Sequence, residues 1–459
     1  MAPEPYAHYF SGNPLNRLAW LRTSQPFLNA IIHAPATRWV VFREGQPLLQ
    51  FNTSTAADAR SGTFKQSLAR LTTLDVKPLL GPEPYFSQGQ HDGELAPPDL
   101  KALEGARLRG NPIAFLGLHE TQTTFAAALP SSDFSAKADP QTVIANIKGT
   151  PYFSLDVSDA DQAEVDRVLR ENASVREAQG KLNFTEPRAA MGALDVFESA
   201  IFAEARTIVD WNARNKFCAS CGGSVHSSWA GWKLTCSTLL PWAENTGKKP
   251  CATATGLHNF SHPRTDPVVI TAVVDETGDN ILLGRNTKWP KNFWSCMSGF
   301  NEPGESFEDA VKRELWEEAG VKVWNVRYHS SQPWPFPANL MCGFYATANS
   351  SEPLRTDLDN ELEEARWFTR EELLAVLSHT DGTRITQQEH REIAATAENS
   401  NPNANPDAKG LKGASAPAPS DRAPPFKIPP LTAIGGVILS EWAYGRAGPQ
   451  PVKPKLGNL

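Results

Sequence analysis

The 459-residue chain lacks any apolar run near the 18 or so residues that a membrane-spanning helix needs; its longest apolar stretches, such as Val268 to Val274, are strand-sized. A spanning helix is therefore not expected. Positive charge is also scarce, with 44 Lys and Arg against 51 Asp and Glu for a net charge of −7, which disfavours a protein whose main task is gripping polyphosphate backbones by charge. Residues Met1 to Phe10 lack a basic region followed by an apolar one, so a reducing compartment is expected. The six cysteines then read as thiols or metal ligands rather than disulfides. The tripeptide Gly457-Asn458-Leu459 has the small-polar-Leu form of a peroxisomal address, so peroxisomal residence, cytoplasmic residence or both are expected.

What is present is ample material for cores: 40% hydrophobic residues, 9% aromatic, and 13 Trp, over a length that suits two or three domains. Residues 1–213 read as mixed α/β, with strands at Arg38 to Arg43 and Ile113 to Leu118 and a helix at Asp161 to Glu171. From Ala189 to Arg214 apolar residues, among them Leu194, Ile201, Phe202 and Ile208, recur at helical spacing, which predicts a connector helix between domains. Residues 214–265 carry four cysteines. Residues 266–459 open on a strand, Pro267 to Asp275, and alternate strands with helices. Inside them, residues 395–430 collapse to Asn, Ala, Pro, Ser, Gly and Lys and predict a flexible insertion, before Thr432 to Ala443 restores a helical pattern.

The chemistry concentrates between Gly299 and Val321. Ser306 with Asp309 forms a capping-box pattern and Gly320 a stop, so a helix is predicted over 307–319. At about 100° per residue, Phe307, Val311 and Leu315 make its core-facing stripe, with Glu314 and Glu318 along the stripe's edge and Glu317 beside them. Like charges so spaced repel, and more strongly beside an apolar face. Hard divalent cations such as Mg²⁺ or Mn²⁺ take carboxylate oxygens and would relieve that repulsion while neutralising a polyphosphate substrate.

The residues Gly299, Glu305, Arg313, Glu314, Leu315, Glu317, Glu318, Gly320 and Val321 fill every defined position of G-x5-E-x7-R-E-U-x-E-E-x-G-U, where U is aliphatic. This frame resembles the Nudix box. The resemblance implies a hydrolase for nucleoside diphosphates linked to another moiety, with an α/β/α sandwich on a mixed sheet. It implies that Glu314, Glu317 and Glu318 hold the metals and that Arg313 orients Glu305. Downstream, Ser331-Gln332-Pro333-Trp334-Pro335-Phe336-Pro337-Ala338-Asn339 is similar to the signature of NADH pyrophosphatases within that superfamily, with Asn339 where the pattern has Ser. Gln332, Trp334, Phe336 and Asn339 are thereby expected to contact substrate.

That narrower family carries a four-cysteine zinc site in a ribbon. Cys218 and Cys221 match its first C-x-x-C, Cys236 follows after 14 residues, and Cys251 is the expected fourth ligand, with His226, His258 or His262 as alternatives. One structural Zn²⁺ per chain is implied. His262 replaces the tyrosine of the family's Tyr-Pro-Arg segment and, with Phe300, is expected to stack on a base. Glu361 opens an E-x-x-E-A-x-W segment and inherits a metal-ligand role, whereas Glu363 is read as part of a solvated acidic run. Ile434 stands where the family's last helix touches substrate. The resemblance implies a homodimer that hydrolyses NADH and NAD to nicotinamide mononucleotide and AMP, with NAD-capped RNA as a further substrate. The rival readings are a diphosphatase for ADP-ribose or dinucleoside polyphosphates, and a non-catalytic nucleotide- or RNA-binding module, which five Lys or Arg against one Glu between Arg214 and Cys251 would favour.

Overall fold

The computed structural model describes residues 8–52, 65–120, 140–145, 147–171, 181–245, 249–256, 258–286, 289–290, 292–359, 361–385, 389 and 424–448. Most of the expected insertion, through residue 423, and the terminal tripeptide lie outside the described residues. The chain divides into two compact units, one comprising Met1–Tyr9, Asp266–Pro333 and Asn339–Leu459, the other Phe10–Thr265 and Trp334–Ala338.

The Phe10–Thr265 unit is built on a seven-stranded mixed sheet. Its strands are β1 (Leu15–Asn16), β2 (Arg38–Arg43), β3 (Gln46–Asn52), β4 (Lys65–Leu68), β5 (Ile113–His119), β6 (Thr150–Asp156) and β7 (Lys181–Phe184), in the order β1-β5-β6-β2-β3-β4 with β7 on β3. Helices α1 (Gln25–Ile31), α2 (Thr73–Leu80), α3 (Pro140–Ala145) and α4 (Gln162–Glu171) precede a longer one, α5 (Val196–Arg214). The periodicity that predicted a helix from Ala189 begins its helical turns only at Val196, because the Asp195 side chain accepts the Glu198 N–H at 2.8 Å and fixes the start there. Nor is α5 a mere connector. It buries Ala200, Ile201, Phe202, Ala205 and Ile208, and its Phe202 ring lies 6.0 Å from Phe10 and 6.3 Å from Phe42 of β2.

The cysteine segment forms a hairpin, β8 (Val225–Ser228) with β9 (Lys233–Cys236), within this same unit.

The other unit is organised by one strand, β10 (Asp266–Asp275), which pairs with β11 (Asn280–Asn286) and β12 (Met297–Phe300) antiparallel and, over its whole length, with a further strand in parallel. That partner is β14 (Asn339–Ala348), preceded by helix α6 (Phe307–Ala319) and the edge strand β13 (Val323–Trp334) and followed by β15 (Leu362–Thr369). Helices α7 (Arg370–Ser378) and α8 (Ile434–Ala443) complete it. Side chains alternate along β10 as the pleat requires. Val269 and Val273 join Ala310, Val311, Leu315 and Ala319 of α6 in one core, while Ile270, Ala272 and Val274 join Leu373, Ile434 and Ile438 of α7 and α8 in the other. A mixed sheet therefore lies between two helical layers, as the Nudix resemblance implies.

Gln332 ties this layering together. Its carboxamide is fully buried, donates to the Tyr9 and Thr432 carbonyls at 2.8 Å each, and accepts the Ile434 N–H at 2.7 Å, which satisfies an orphan donor at the start of α8. Gln332→Leu removes these three buried hydrogen bonds, so it should lower the unfolding free energy by about 3 kcal/mol or more. Urea titration checks this; an unchanged midpoint would contradict the tie.

Candidate active site and cysteine centre

The acidic helix α6 starts where its capping box directs, the Ser306 hydroxyl accepting the Asp309 N–H at 3.2 Å and the Asp309 carboxylate accepting the Ser306 N–H at 3.4 Å. It ends at Gly320, in the left-handed region at φ 67°. Val311 and Leu315 are buried as expected, but Phe307, in the first turn, stays 38% exposed with its ring 6.0 Å from Phe344.

Arg313 organises the carboxylates around this helix. Its Nε and Nη2 donate to the two oxygens of Glu305 at 2.6 and 2.9 Å, a fork-on-carboxylate pair, and its Nη1 donates to Glu314 at 2.8 Å and Glu317 at 2.9 Å. Nη2 also donates to the Phe300 carbonyl at 2.8 Å, which ties the helix to β12. The guanidinium beside it holds the Glu305 carboxyl down at about 2. Gly299 makes the close approach possible, since a Cβ there would fall 1.9 Å from Cδ of Glu314.

Glu318 faces the opposite electrostatics. It is 3% exposed and accepts only the Ser298 N–H at 3.2 Å among the hydrogen bonds described. Burial first, then the negative charges of Glu361, Glu314 and Asp359, push its carboxyl well above the usual carboxylate range. Burial likewise raises Glu314. Glu361 is exposed, accepts from Asn286 Nδ2 at 3.1 Å, and acts electrostatically on both Glu314 and Glu318. An all-oxygen donor set of this kind, including a buried carboxylate among like charges, fits a hard divalent cation. The structure does not gather these oxygens as tightly as the cysteines, because Glu314 and Glu317 are turned to Arg313.

Cys218, Cys221, Cys236 and Cys251 have all four Sγ atoms within 4.8 Å of one another, with Cys218 and Cys251 at 3.8 Å and Cys221 and Cys236 at 3.5 Å. A tetrahedral ZnS₄ centre with Zn–S of about 2.3 Å has S···S edges of about 3.8 Å, so the donor set fits zinc. The first knuckle is closed by Cys218 N–H to Gly223 O at 2.7 Å and Gly222 N–H to Cys218 O at 2.8 Å, and Gly222 sits at φ 73°. Cys251 is the fourth thiol. The alternatives are engaged elsewhere: His226 with the Ala102 carbonyl, His258 with the Ala252 and Thr255 carbonyls, and His262 in a ring contact with Trp229 at 5.2 Å.

The remaining expected residues separate into two groups. Phe300 is 57% exposed beside Gly299, and Asn339 opens β14 opposite Asp266. Within the Phe10–Thr265 unit, Trp334 and Phe336 stand edge to face at 5.3 Å, Phe10 joins them at 6.0 and 6.2 Å, and the Arg188 guanidinium lies 4.6 Å over Phe336. Gln332 and Ile434, by contrast, are spent inside the fold, Ile434 being 2% exposed with its side chain against Gly343. Both side chains hold backbone and core in place. Glu363 is not simply solvated either. It pairs at 2.6 Å with Arg285, a buried cation that Glu364 shares at 3.1 Å. Residue patterns gave no signal for Ser298, which acts on Glu318 through its backbone N–H, or for Asp359, which acts on it electrostatically.

The NUDIX domain profile matches residues 264–388, and that of the NADH pyrophosphatase-like rudimentary NUDIX domain matches residues 36–211. The chain is 32% identical over 379 residues to "NAD-capped RNA hydrolase NUDT12" of Macaca fascicularis, covering 82% of this chain and 69% of that protein. It is 31% identical to "NAD-capped RNA hydrolase" of Schizosaccharomyces pombe, over 82% of this chain and 86% of that one. To "NAD-capped RNA hydrolase NUDT12" of Homo sapiens it is 44% identical across 42% of this chain and 39% of the other.

The raised Glu318 pKa has a stability consequence. A carboxyl whose folded pKa exceeds its unfolded value contributes stability that is complete below the unfolded value, near 4.5, and is lost as pH rises through the folded one. Glu318→Gln mimics the protonated form. Without Mg²⁺ or Mn²⁺, the variant should melt above wild type at pH 8, with the gap closing toward pH 4. Calorimetry across that range checks it, and a gap independent of pH would contradict the burial argument.

Proposed function

The chain belongs to the Nudix hydrolases, in the NADH pyrophosphatase and NAD-capped RNA hydrolase branch, and from that premise we propose that it cleaves the diphosphate of NADH and NAD to nicotinamide mononucleotide and AMP, and removes NAD caps from RNA. The observation that carries this reading is the intact carboxylate set around Arg313, in a chain whose similarity to NAD-capped RNA hydrolases extends over 82% of its length. A protein that only bound nucleotides would have no need of a buried Glu318, its carboxyl pushed upward by burial and like charge, beside two further glutamates.

In this reading Glu314, Glu317, Glu318 and Glu361 hold Mg²⁺ or Mn²⁺, which when bound polarises the diphosphate and neutralises its charge. The chain's own residues do the positioning. Arg313 keeps Glu305, Glu314 and Glu317 in register, the Ser298 N–H fixes Glu318, and Gly299 leaves the space that Glu314 fills. Carboxylates of the same set can accept the proton that an attacking water gives up. Phe300 offers an exposed ring and Asn339 a polar side chain to the nucleotide; the roles of His262, Trp334 and Phe336 rest on the family resemblance. One Zn²⁺ in the four thiols is structural, since four protein ligands leave no open position. The same reading assigns residues 1–213, 214–265 and 266–459 as N-terminal, ribbon and catalytic domains, and includes a homodimer resident in cytoplasm or peroxisome.

Glu318→Gln should reduce NADH turnover by about a hundredfold or more, because a lost carboxylate weakens or displaces the cation that is asked for several kcal/mol of the barrier. Glu363→Gln should leave turnover near normal, since Arg285 keeps Glu364 as its partner. Steady-state rates of both variants decide the matter, and near-normal turnover by the Glu318 variant would remove the acidic helix from the reaction.

A further inference from the structure

The cysteine hairpin carries features that neither zinc binding nor diphosphate hydrolysis uses. Between Arg214 and Cys251 the sequence holds five Lys or Arg against one Glu, in a chain of net charge −7. Around the hairpin the structure arranges part of that charge beside rings. A groove of about 200 Å³ runs along β9, with Lys101, Lys233, Thr235, Thr253 and Ser261 in its lining. Leu234, Cys236, Thr253 and Ser261 also line a smaller cleft, so the two are contiguous. The smaller cleft adds Phe217, which is 71% exposed, and Phe260.

At the hairpin tip a further pair of rings is set in place. Trp229 and His262 lie 5.2 Å apart, and Lys233 Nζ lies 4.7 Å over the Trp229 ring. The tip is held in a conformation that side-chain-bearing residues rarely adopt, Trp229 at φ 51° and Ala230 at φ 49°, by backbone bonds to the Glu104 and Gly105 carbonyls at 2.8 and 3.0 Å. The nearby acid, Glu104, accepts the Trp229 indole N–H at 3.2 Å. Among the described residues, neither Lys101 nor Lys233 forms an ion pair. His226 and His262 are each lowered first by burial and, to a smaller extent, by the charge of Lys233.

Resting on the proposed removal of NAD caps from RNA, the geometry points to a second binding site on the cysteine hairpin: a single-stranded RNA groove in which Lys101 and Lys233 take backbone phosphates, Phe217 and Phe260 of the contiguous cleft offer stacking faces for bases, and Trp229, beside Lys233 at the groove's end, offers a further ring. Interleaved cations and rings along one groove are what sequence-tolerant single-strand binding requires, since phosphates carry the charge and every base has a face to stack. The groove would hold nucleotides of the RNA body, so NADH, which has none, does not need it.

The test uses the full-length, zinc-loaded protein and an uncapped, fluorescently labelled single-stranded RNA of about 12 nucleotides, within the span that such grooves cover. Anisotropy across a salt series gives affinity and its salt slope. Lys101→Glu with Lys233→Glu should weaken binding about tenfold or more and flatten the log–log slope by about 1.4, at about 0.7 per phosphate contact on a single strand. Lys101→Gln with Lys233→Gln should fall between that pair and wild type, with unchanged zinc content as the check on folding. NADH turnover by both pairs should equal wild type. RNA affinity and slope identical in all three proteins would overturn the groove. Absence of NADH turnover in wild type would instead defeat the catalytic reading, and the anisotropy result would still decide the groove on its own.

Discussion

One guanidinium holds four pieces of the catalytic face in fixed relation. Arg313 forks onto Glu305, reaches Glu314 and Glu317 on its own helix, and grips the Phe300 carbonyl on β12. Without it, carboxylates spaced three and four residues apart would repel one another along the helix and toward water. With it, the loop bearing Glu305, the acidic helix and the strand bearing Gly299 form a single electrostatic unit. Glu318 is left outside that compensation, buried and surrounded by like charge, which pushes its carboxyl upward.

The rest of the catalytic unit exists to put that arrangement at one edge of a sheet. β10 takes β12 on one side and β14 on the other, so Gly299 and Asn339 are set by the register of a single strand, through Val269↔Gly299 and Asp266↔Asn339. The alternation of Val269 and Val273 with Ile270, Ala272 and Val274 fixes which helical layer covers which face. A one-residue slip would exchange the faces and carry Gly299 away from Glu314. Gln332 then anchors the start of α8 to β13 by two backbone bonds and Tyr9 by a third, a buried polar group tolerated because all its partners are present.

Much of this was legible in residue order because local rules and the global fold agree. The capping box at Ser306, the stop at Gly320 and the apolar spacing of Val311 and Leu315 all favour the same helix, and the nine fixed positions placed the glutamates on one side of it. The cysteine spacing likewise foretold the thiols that meet, including Cys251 after a long insertion. What escaped depends on tertiary partners. Gln332 and Ile434 look like exposed ligand contacts in a Pro-rich segment and at a helix start, yet each is consumed by the other's backbone or by the core. Glu363 looks like one more charge in an acidic run until Arg285, 78 positions earlier, is folded against it. The helix expected to link domains instead fills a core, because apolar periodicity reports an amphipathic face without saying which surface will cover it.

The central claim is that this acidic helix serves to hydrolyse a diphosphate between two nucleosides, and water labelled with heavy oxygen tests it most directly. NADH incubated with the protein and Mg²⁺ or Mn²⁺ in that water should give reduced nicotinamide mononucleotide and AMP, with one heavy oxygen in one of the two phosphates by mass spectrometry. Unchanged NADH, release of inorganic phosphate, or cleavage at the glycosidic bond would contradict the account.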